Sequence, residues 1–97
     1  MSFTWDPSKA KRNEKDHGIT FESAREAFED PNHIVTENYH FADQGEQRYV
    51  AIGMTRSLVL VVVVFVDRSD PDDEIIHIIS ARKAVDYEQS IYEDQIR

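Results

Sequence analysis

The sequence has no cysteine, only three glycines and no long apolar segment. Without cysteine, the chain has no disulfide framework, no thiolate metal cluster and no cysteine nucleophile. No two glycines lie within four residues of each other, which excludes the glycine-rich loops that bind nucleotide phosphates. Any activity of this chain must therefore use other side chains.

The longest apolar run, residues 58–66, has nine residues, whereas a membrane-spanning helix needs about 20. The amino-terminal stretch MSFTWDPSKAKRN lacks the apolar centre of a secretion signal. We therefore expect a cytoplasmic protein without a membrane segment. A chain of 97 residues can bury one core but cannot divide it in two, so we predict a single domain over residues 1–97.

Positive charge is scarce, since 11 Lys and Arg stand against 19 Asp and Glu and give a net charge of −8. This balance normally argues against binding to nucleic acid. The acidic residues are concentrated in residues 19–47 and 67–74, with seven and five of them. Basic residues are concentrated in the first predicted helix and around the strands. This distribution is compatible with a local cationic surface. Alternatively, the acidic segments attract a basic partner.

Two helices are predicted near the amino terminus. In WDPSKAKRNEKDHG, Asp6 suits the N-cap, Pro7 the first helical position and Gly18 the left-handed residue after the last turn. The second helix is predicted to begin at Thr20 and to end before Pro31. The first is largely charged and should lie at the surface, whereas the second should pack on the sheet.

The strands follow in the middle of the chain. RYVAIGMT and SLVLVVVVFVD are predicted strands joined by a turn, and the long apolar run of the second is typical of a central strand. EIIHIISAR is a third strand, SFTW a short one, residues 32–45 a loop or edge hairpin, and residues 84–97 a helix. The result is an α+β domain in which a small antiparallel sheet of three to four strands carries two N-terminal helices and one C-terminal helix.

The stretch HIISARKA combines basic side chains with the end of a strand. In a regular strand His77 faces one side and Arg82 the other, so they need not share a face. Each basic residue also has a structural interpretation. His77 can be a half-buried histidine bonded to a neighbour, Arg82 and Lys83 can be solvated residues at a strand end, and His17 a cation favoured at a helix C-terminus.

Two other patterns are weaker. Glu46 and Arg48 begin a strand and can form an exposed pair. Four histidines and nineteen acids could supply metal ligands, but none has a spacing such as H-E-x-x-H or H-x-H. We therefore predict no metal site.

Two stretches, FTWDPSKAKRNEKDHGITFESAREAFEDP and IISARKAVDYEQSIYE, resemble the BrnT family, the toxin half of BrnT/BrnA toxin–antitoxin modules. The shared pattern is W-D-P-x-K-A, an Asn four residues before His-Gly, F-x-x-A-x-x-x-F before Asp-Pro, a strand that begins with Glu and Arg, and I-S-A-R-K-A before a helix with Tyr-Glu. The resemblance extends from Phe3 to about Glu93. The matching residues are Trp5, Asp6, Lys9, Asn13, His17, Gly18, Phe21, Ala24, Phe28, Glu46, Arg48, Gly53, Ser80, Arg82, Lys83, Glu88 and Tyr92.

The resemblance implies a RelE-like ribonuclease fold, metal-independent RNA cleavage that halts translation, and neutralisation by a BrnA-type antitoxin. It also implies that promoter DNA is contacted only through the antitoxin. Three positions depart from the family pattern: Asp16 and His77 replace a common lysine and arginine, and Gln89 replaces a frequent arginine. Each departure removes positive charge and weakens the expected binding of phosphate.

Metal-free cleavage uses the 2′-hydroxyl of the RNA as nucleophile, and the protein must supply a base, an acid and a cation. Our hypothesis assigns charge stabilisation to Arg82, helped by Arg48, because a guanidinium binds phosphate oxygens bidentately. It assigns proton transfer to His17 or His77, because histidine titrates near neutral pH. The predicted RNA-binding residues are Lys9, Lys83 and Arg56.

Two rival interpretations stay open. The chain can be a catalytically weakened toxin-like module that keeps only antitoxin binding, which the three lost positive charges favour. It can also be a structural domain unrelated to RNA. An RNase assay on the purified protein separates the first rival from the nuclease, and a protein that binds neither RNA nor a small basic or helical partner would favour the second.

Overall fold

The computed structural model of the protein describes residues 1–37 and 46–96. Residues 38–45, part of the segment predicted as a loop or hairpin, lie outside the described residues, as does residue 97 of the predicted last helix. The elements in chain order are β1 (Ser2–Thr4), α1 (Pro7–His17), α2 (Phe21–Ala24), a 3₁₀ helix (Arg25–Glu29), β2 (Ile34–Glu37), β3 (Arg48–Met54), β4 (Leu60–Asp67), β5 (Ile75–Lys83) and α3 (Asp86–Gln95).

The described strands form one sheet of five in the order β1-β5-β4-β3-β2. The α+β class is confirmed, and β4 is the central strand that its apolar run predicts. The predicted antiparallel sheet of three to four strands was wrong, because β1 pairs with β5 in parallel and β2 adds a second edge. Both edge strands are short, with three and four residues, so neither carries a clear alternation of apolar and polar side chains.

The first helix forms as predicted. The Asp6 carboxylate accepts a hydrogen bond from the backbone N–H of Ser8 at 2.8 Å, and Gly18 ends the helix with φ of 70°. The second helix is wrong in length, because α2 has one turn and continues as the 3₁₀ helix. A Cβ on Gly53 of β3 would lie 2.5 Å from the carbonyl oxygen of Ala27, so this segment packs directly on the sheet backbone.

The main core lies between the sheet and the amino-terminal helices. Phe21 and Ala24 of α2 are fully buried against Val61 and Val63 of β4. A smaller cluster forms on the opposite side, where Tyr92 of α3 packs near Val62. No helix in the described part of the chain is both long enough and apolar enough to cross a membrane.

Candidate functional site

A β-bulge in β5 places His77 and Arg82 on one side of the sheet. His77 pairs with Val66 and Arg82 pairs with Val62, while Ile79 is the extra residue between them. Val62 and Val66 are four residues apart on β4 and therefore face the same side. The regular alternation expected from the sequence, which separated His77 from Arg82, was wrong because a bulge reverses the side on which later residues lie.

This side of the sheet is turned away from the main core, α2 and the 3₁₀ helix, and we call it the open face. Of the described elements, α3 packs on it, at the end marked by Ile52 and Val62. The centre of the open face is apolar, and basic residues stand at both ends. Its residues are Arg48, Val50, Ile52, Val62, Val64, Val66, His77, Ser80 and Arg82.

A cleft with a volume of about 390 Å³ lies at the α3 end of the open face. It brings His17, from the last turn of α1, together with Arg82 of β5. Its apolar floor comes from β3 and β4. The lining residues are His17, Val50, Val62, Val64, Ser80, Arg82 and Glu88. Two of the predicted catalytic residues thus share one cleft.

Arg82 is held in the cleft by a carboxylate. Its Nη1 and Nη2 donate hydrogen bonds to Oε1 and Oε2 of Glu88, both at 2.7 Å. The side chain of Glu88 is 13% exposed and that of Arg82 44%. Their hydrogen bonds raise the pKa of Arg82 above its usual value and lower that of Glu88. Arg82 is therefore a fixed and permanently charged group.

A second, shallower groove runs between α1 and β5 and meets the cleft at His17 and Ser80. Lys9 and Arg12 of α1 line this groove and supply positive charge. Asp16 lines it as well, one turn further along the helix. The groove is thus cationic at one end and mixed in charge where it joins the cleft.

His17 reaches the cleft because α1 is fastened to the edge of β5. The buried side chain of Asn13 donates to the carbonyl oxygen of Ala81 at 2.8 Å and accepts from its N–H at 3.1 Å. Gly18 then lets the chain turn away with a left-handed backbone. The helix therefore ends beside the strand residues that line the cleft.

His77 lies outside the cleft and is bonded elsewhere. Its Nδ1 is 2.7 Å from the hydroxyl of Thr4 on the neighbouring β1. Burial lowers the pKa of His77, the positive charge of Arg68 lowers it further, and Glu46 partly opposes both. His77 is therefore neutral at pH 7 and helps to attach the amino-terminal strand, as its structural interpretation suggested.

Arg48 stands at the same end of the open face as His77. Both pair with Val66 of the central strand, one from each side. The Nε atom of Arg48 is buried, and no hydrogen-bond partner for it is found among the residues that the structure describes. An exposed pair between Glu46 and Arg48 was suggested from the sequence, but the partner is wrong. The carboxylate of Glu46 accepts its two hydrogen bonds from Arg68, at 3.2 Å each.

The other predicted RNA-binding residues are divided. Lys9 lines the α1 groove, whereas Lys83 pairs with Val61 and points to the opposite side of the sheet from Arg82. Arg56, in the turn between β3 and β4, forms an ion pair with Glu29 at 2.6 Å and lies 3.8 Å from Glu26. The structure therefore does not bring Lys83 or Arg56 to the cleft.

Both the sequence and the fold of this chain are similar to those of known proteins. Residues 5–88 match the family model described as "Ribonuclease toxin, BrnT, of type II toxin-antitoxin system". The chain belongs to the BrnT family. The crystal structure of the Brucella abortus ribonuclease toxin BrnT is similar, with a TM-score of 0.66 and 26% sequence identity, over 88% of this chain and 97% of that chain. No curated protein matches the sequence significantly.

In this BrnT-family chain, two residues gain roles that sequence reasoning did not assign. Asn13 fastens α1, and Glu88 holds Arg82, although both were noted only as matching the family pattern. Glu88 stands three residues after Val85, where the glutamate of a capping box would stand, but Val85 is not the Ser or Thr that marks this pattern, so the sequence carries no clear signal for it. Within the described ranges, no three His, Asp or Glu side chains are grouped so that they could hold a metal ion.

Proposed function

We propose that this BrnT-family protein is the toxin of a type II toxin–antitoxin module and that it cleaves RNA without a metal ion, which stops translation. The observation that carries the proposal is the shared cleft of Arg82 and His17 in a chain of a ribonuclease toxin family. A BrnA-type antitoxin neutralises the toxin by binding to it. Promoter DNA is contacted through the antitoxin.

The proposed reaction is attack of the 2′-oxygen on the adjacent phosphorus, with departure of the 5′-oxygen. A base takes the proton of the 2′-hydroxyl, and an acid gives a proton to the leaving oxygen. Arg82 stabilises the extra negative charge of the pentacoordinate phosphorus, because a guanidinium donates to two phosphate oxygens at once. His17 carries out one of the two proton transfers.

The remaining basic residues have supporting roles in this proposal. Lys9 binds a flanking phosphate in the α1 groove, next to the cleft. Arg48 and His77 stand at the far end of the open face. Both pair with Val66, which is four residues, or about 13 Å, along β4 from Val62, the partner of Arg82. Because Arg82 is fixed on Glu88 at the other end of the face, Arg48 is assigned to a neighbouring phosphate. His77 is assigned a structural role, in attaching β1.

Expression in bacteria tests the proposal. Wild-type protein should stop growth and fragment cellular RNA, while Arg82→Ala should permit growth with intact RNA. Arg25→Ala removes an equally charged residue from the 3₁₀ helix and should behave as the wild type does. Cleavage by the purified protein should persist in EDTA. Normal growth and intact RNA with wild-type and Arg82→Ala protein alike would contradict the nuclease.

A toxin-like module that binds its antitoxin without cleaving RNA is the second candidate. The position of Asp16 in the groove with Lys9 and Arg12 favours it, because a carboxylate there repels a phosphate. A pull-down with the antitoxin-like product of a neighbouring reading frame, next to the RNase assay, separates the two. Antitoxin binding without any cleavage would support the module.

A further inference from the structure

The cleft contains a carboxylate, although a site that binds phosphate gains affinity from positive charge and loses it from negative charge. Glu88 lines the cleft with His17 and Arg82, and its side chain is 13% exposed. It contacts Arg82 through two hydrogen bonds of 2.7 Å. A carboxylate this close cancels much of the attraction between Arg82 and an incoming phosphate, so its presence needs a reason.

The carboxylate of Glu88 is itself fixed from a second direction. Its Oε1 also accepts the backbone N–H of Val85 at 2.9 Å, so Glu88 satisfies a free N–H group at the start of α3. Helix α3 is attached further along by Tyr92, whose hydroxyl donates to Asp30 at 2.5 Å. The orientation of Arg82 is thus set by a helix that is held at its first turn by Glu88 and again at Tyr92.

The pair leaves one edge of the guanidinium available. Nη1 and Nη2 bind Glu88, and Nη1 also donates to the carbonyl oxygen of Lys83 at 3.3 Å. None of the hydrogen bonds in the described part of the chain uses the Nε of Arg82. A guanidinium can bind two phosphate oxygens through the edge formed by Nε and Nη2 while its other edge stays on a carboxylate.

We propose that Glu88 is a positioning residue of the ribonuclease site. It holds Arg82 with the Nε–Nη2 edge directed into the cleft, and it lowers the affinity of Arg82 for phosphate in the bound substrate. The site therefore binds the substrate less tightly, but Arg82 is oriented to stabilise the transition state, in which the phosphoryl oxygens carry more charge. This inference rests on the proposed nuclease function.

The alternative is that Glu88 only caps α3, and the variant Glu88→Gln separates the two. Glutamine keeps a side-chain oxygen for the N–H of Val85 and is itself a capping-box residue, but it loses the charge that holds Arg82. If Glu88 positions Arg82, kcat should fall about 10- to 100-fold while KM falls as well. If Glu88 only caps the helix, KM should be unchanged.

Binding is measured separately with an oligonucleotide of 2′-deoxy sugars, which lacks the nucleophile and cannot be cleaved. Fluorescence anisotropy across a salt series gives Kd for the wild type, Glu88→Gln and Glu93→Gln, which removes the same charge from α3 outside the cleft. Glu88→Gln alone should bind more tightly, and its plot of log Kd against log salt should steepen by about 0.7, the contribution to single-strand binding of one positive charge that Glu88 no longer neutralises.

Unchanged Kd and KM in Glu88→Gln, with thermal unfolding equal to that of the wild type, would overturn the inference. Equal tightening in Glu93→Gln would do so as well, because the effect would then be general to net charge. If the wild type binds the oligonucleotide but does not cleave RNA, the nuclease proposal fails. In that case the binding series still decides whether Glu88 restrains the affinity of Arg82.

Discussion

The side-chain amide of Asn13 bonds to both backbone groups of Ala81, as a neighbouring strand would. Its Nδ2 donates to the carbonyl oxygen at 2.8 Å, and the N–H of Ala81 donates to its Oδ1 at 3.1 Å. Within the described ranges β1 pairs with Ile75–His77 and no further along β5, so this side chain closes the edge of β5 beyond it. The same Nδ2 donates to Ile19 at 3.0 Å, and one residue thus joins helix, turn and strand.

Asn13→Ala should therefore be strongly destabilising. The substitution removes three buried hydrogen bonds and leaves the backbone groups of Ala81 without partners. We expect a loss of about 3 kcal/mol in the free energy of unfolding, measured by urea denaturation. Gln95→Ala, an amide removed from the exposed end of α3, should change it by about 0.5 kcal/mol or less. Similar losses in both variants would show that the edge of β5 does not depend on Asn13.

Local signals in the sequence account for the elements that were predicted correctly. Asp6, Pro7 and Gly18 mark helix ends through their own backbone and side-chain chemistry, and the run in β4 marks a central strand by composition alone. The bulge at Ile79 has no such signal, because it depends on how β5 pairs with β4. That single residue decides whether His77 and Arg82 share a face.

The site was predictable only in part for the same reason. Arg82 was found through a sequence pattern. Glu88 is six residues further along the chain, and its contact with Arg82 exists because α3 folds back over the open face. Arg56 was chosen for its charge, but acidic partners from the 3₁₀ helix meet it in the folded protein. Pairings of this kind depend on tertiary structure.

The two described glycines with structural demands should respond differently to alanine. A Cβ on Gly53 would lie 2.5 Å from the carbonyl oxygen of Ala27, whereas a Cβ on Gly18 would meet no described atom within 4 Å beyond its chain neighbours. Gly18→Ala should therefore cost only the strain of a positive φ, about 1 kcal/mol. Gly53→Ala should cost about 3 kcal/mol, because it forces the 3₁₀ helix from the sheet. Thermal unfolding of both variants compares them, and a smaller effect at Gly53 would contradict the close packing.

Tyr92 should make the stability of the protein sensitive to alkali. Burial and the hydrogen bond to Asp30 raise its pKa to about 12. A group with a raised pKa in the folded state stabilises the fold below its unfolded pKa, near 10, and loses this effect as the pH rises through its folded pKa. Tyr92→Phe should thus be less stable by about 2 kcal/mol at neutral pH.

The difference between the wild type and Tyr92→Phe should shrink between about pH 10 and 12. Urea denaturation across that range measures it, and subtraction removes the contributions of other titrating groups. Tyr87→Phe, at an exposed position of the same helix, is the control and should show no such trend. A constant difference at all pH values would mean that the pKa of Tyr92 is not raised.

His77 should make the stability fall in mild acid. Burial and the charge of Arg68 lower its pKa, so the unfolded chain binds a proton near pH 6.5 before the folded one does. The stabilisation is complete above that pH and is lost as the pH falls towards the folded pKa. His77→Gln should therefore differ from the wild type more at about pH 7.5 than at about pH 5.5. Thermal unfolding at both pH values is the measurement, and an equal difference would argue against a half-buried, neutral His77.

His17 and His77, the two candidates for proton transfer, should differ in their effect on the rate of cleavage. His17 lines the cleft with Arg82, while His77 is bonded to Thr4 outside it. Loss of a general acid or base slows a reaction by about 10²- to 10⁴-fold, and we expect this for His17→Asn. His77→Gln should lose about tenfold or less. Initial rates with a defined RNA, over a range of pH, provide the comparison.

The pH profile decides whether His17 moves a proton or only occupies space. A proton-transfer role requires that one limb of the profile disappear in His17→Asn, while binding of the 2′-deoxy oligonucleotide stays as in the wild type. A variant that is slower at every pH with an unchanged profile would assign His17 to packing at the end of α1. Loss of the limb in His77→Gln instead would move the proton transfer to the far end of the open face, where Arg68 and Arg48, rather than Arg82, supply the guanidinium groups.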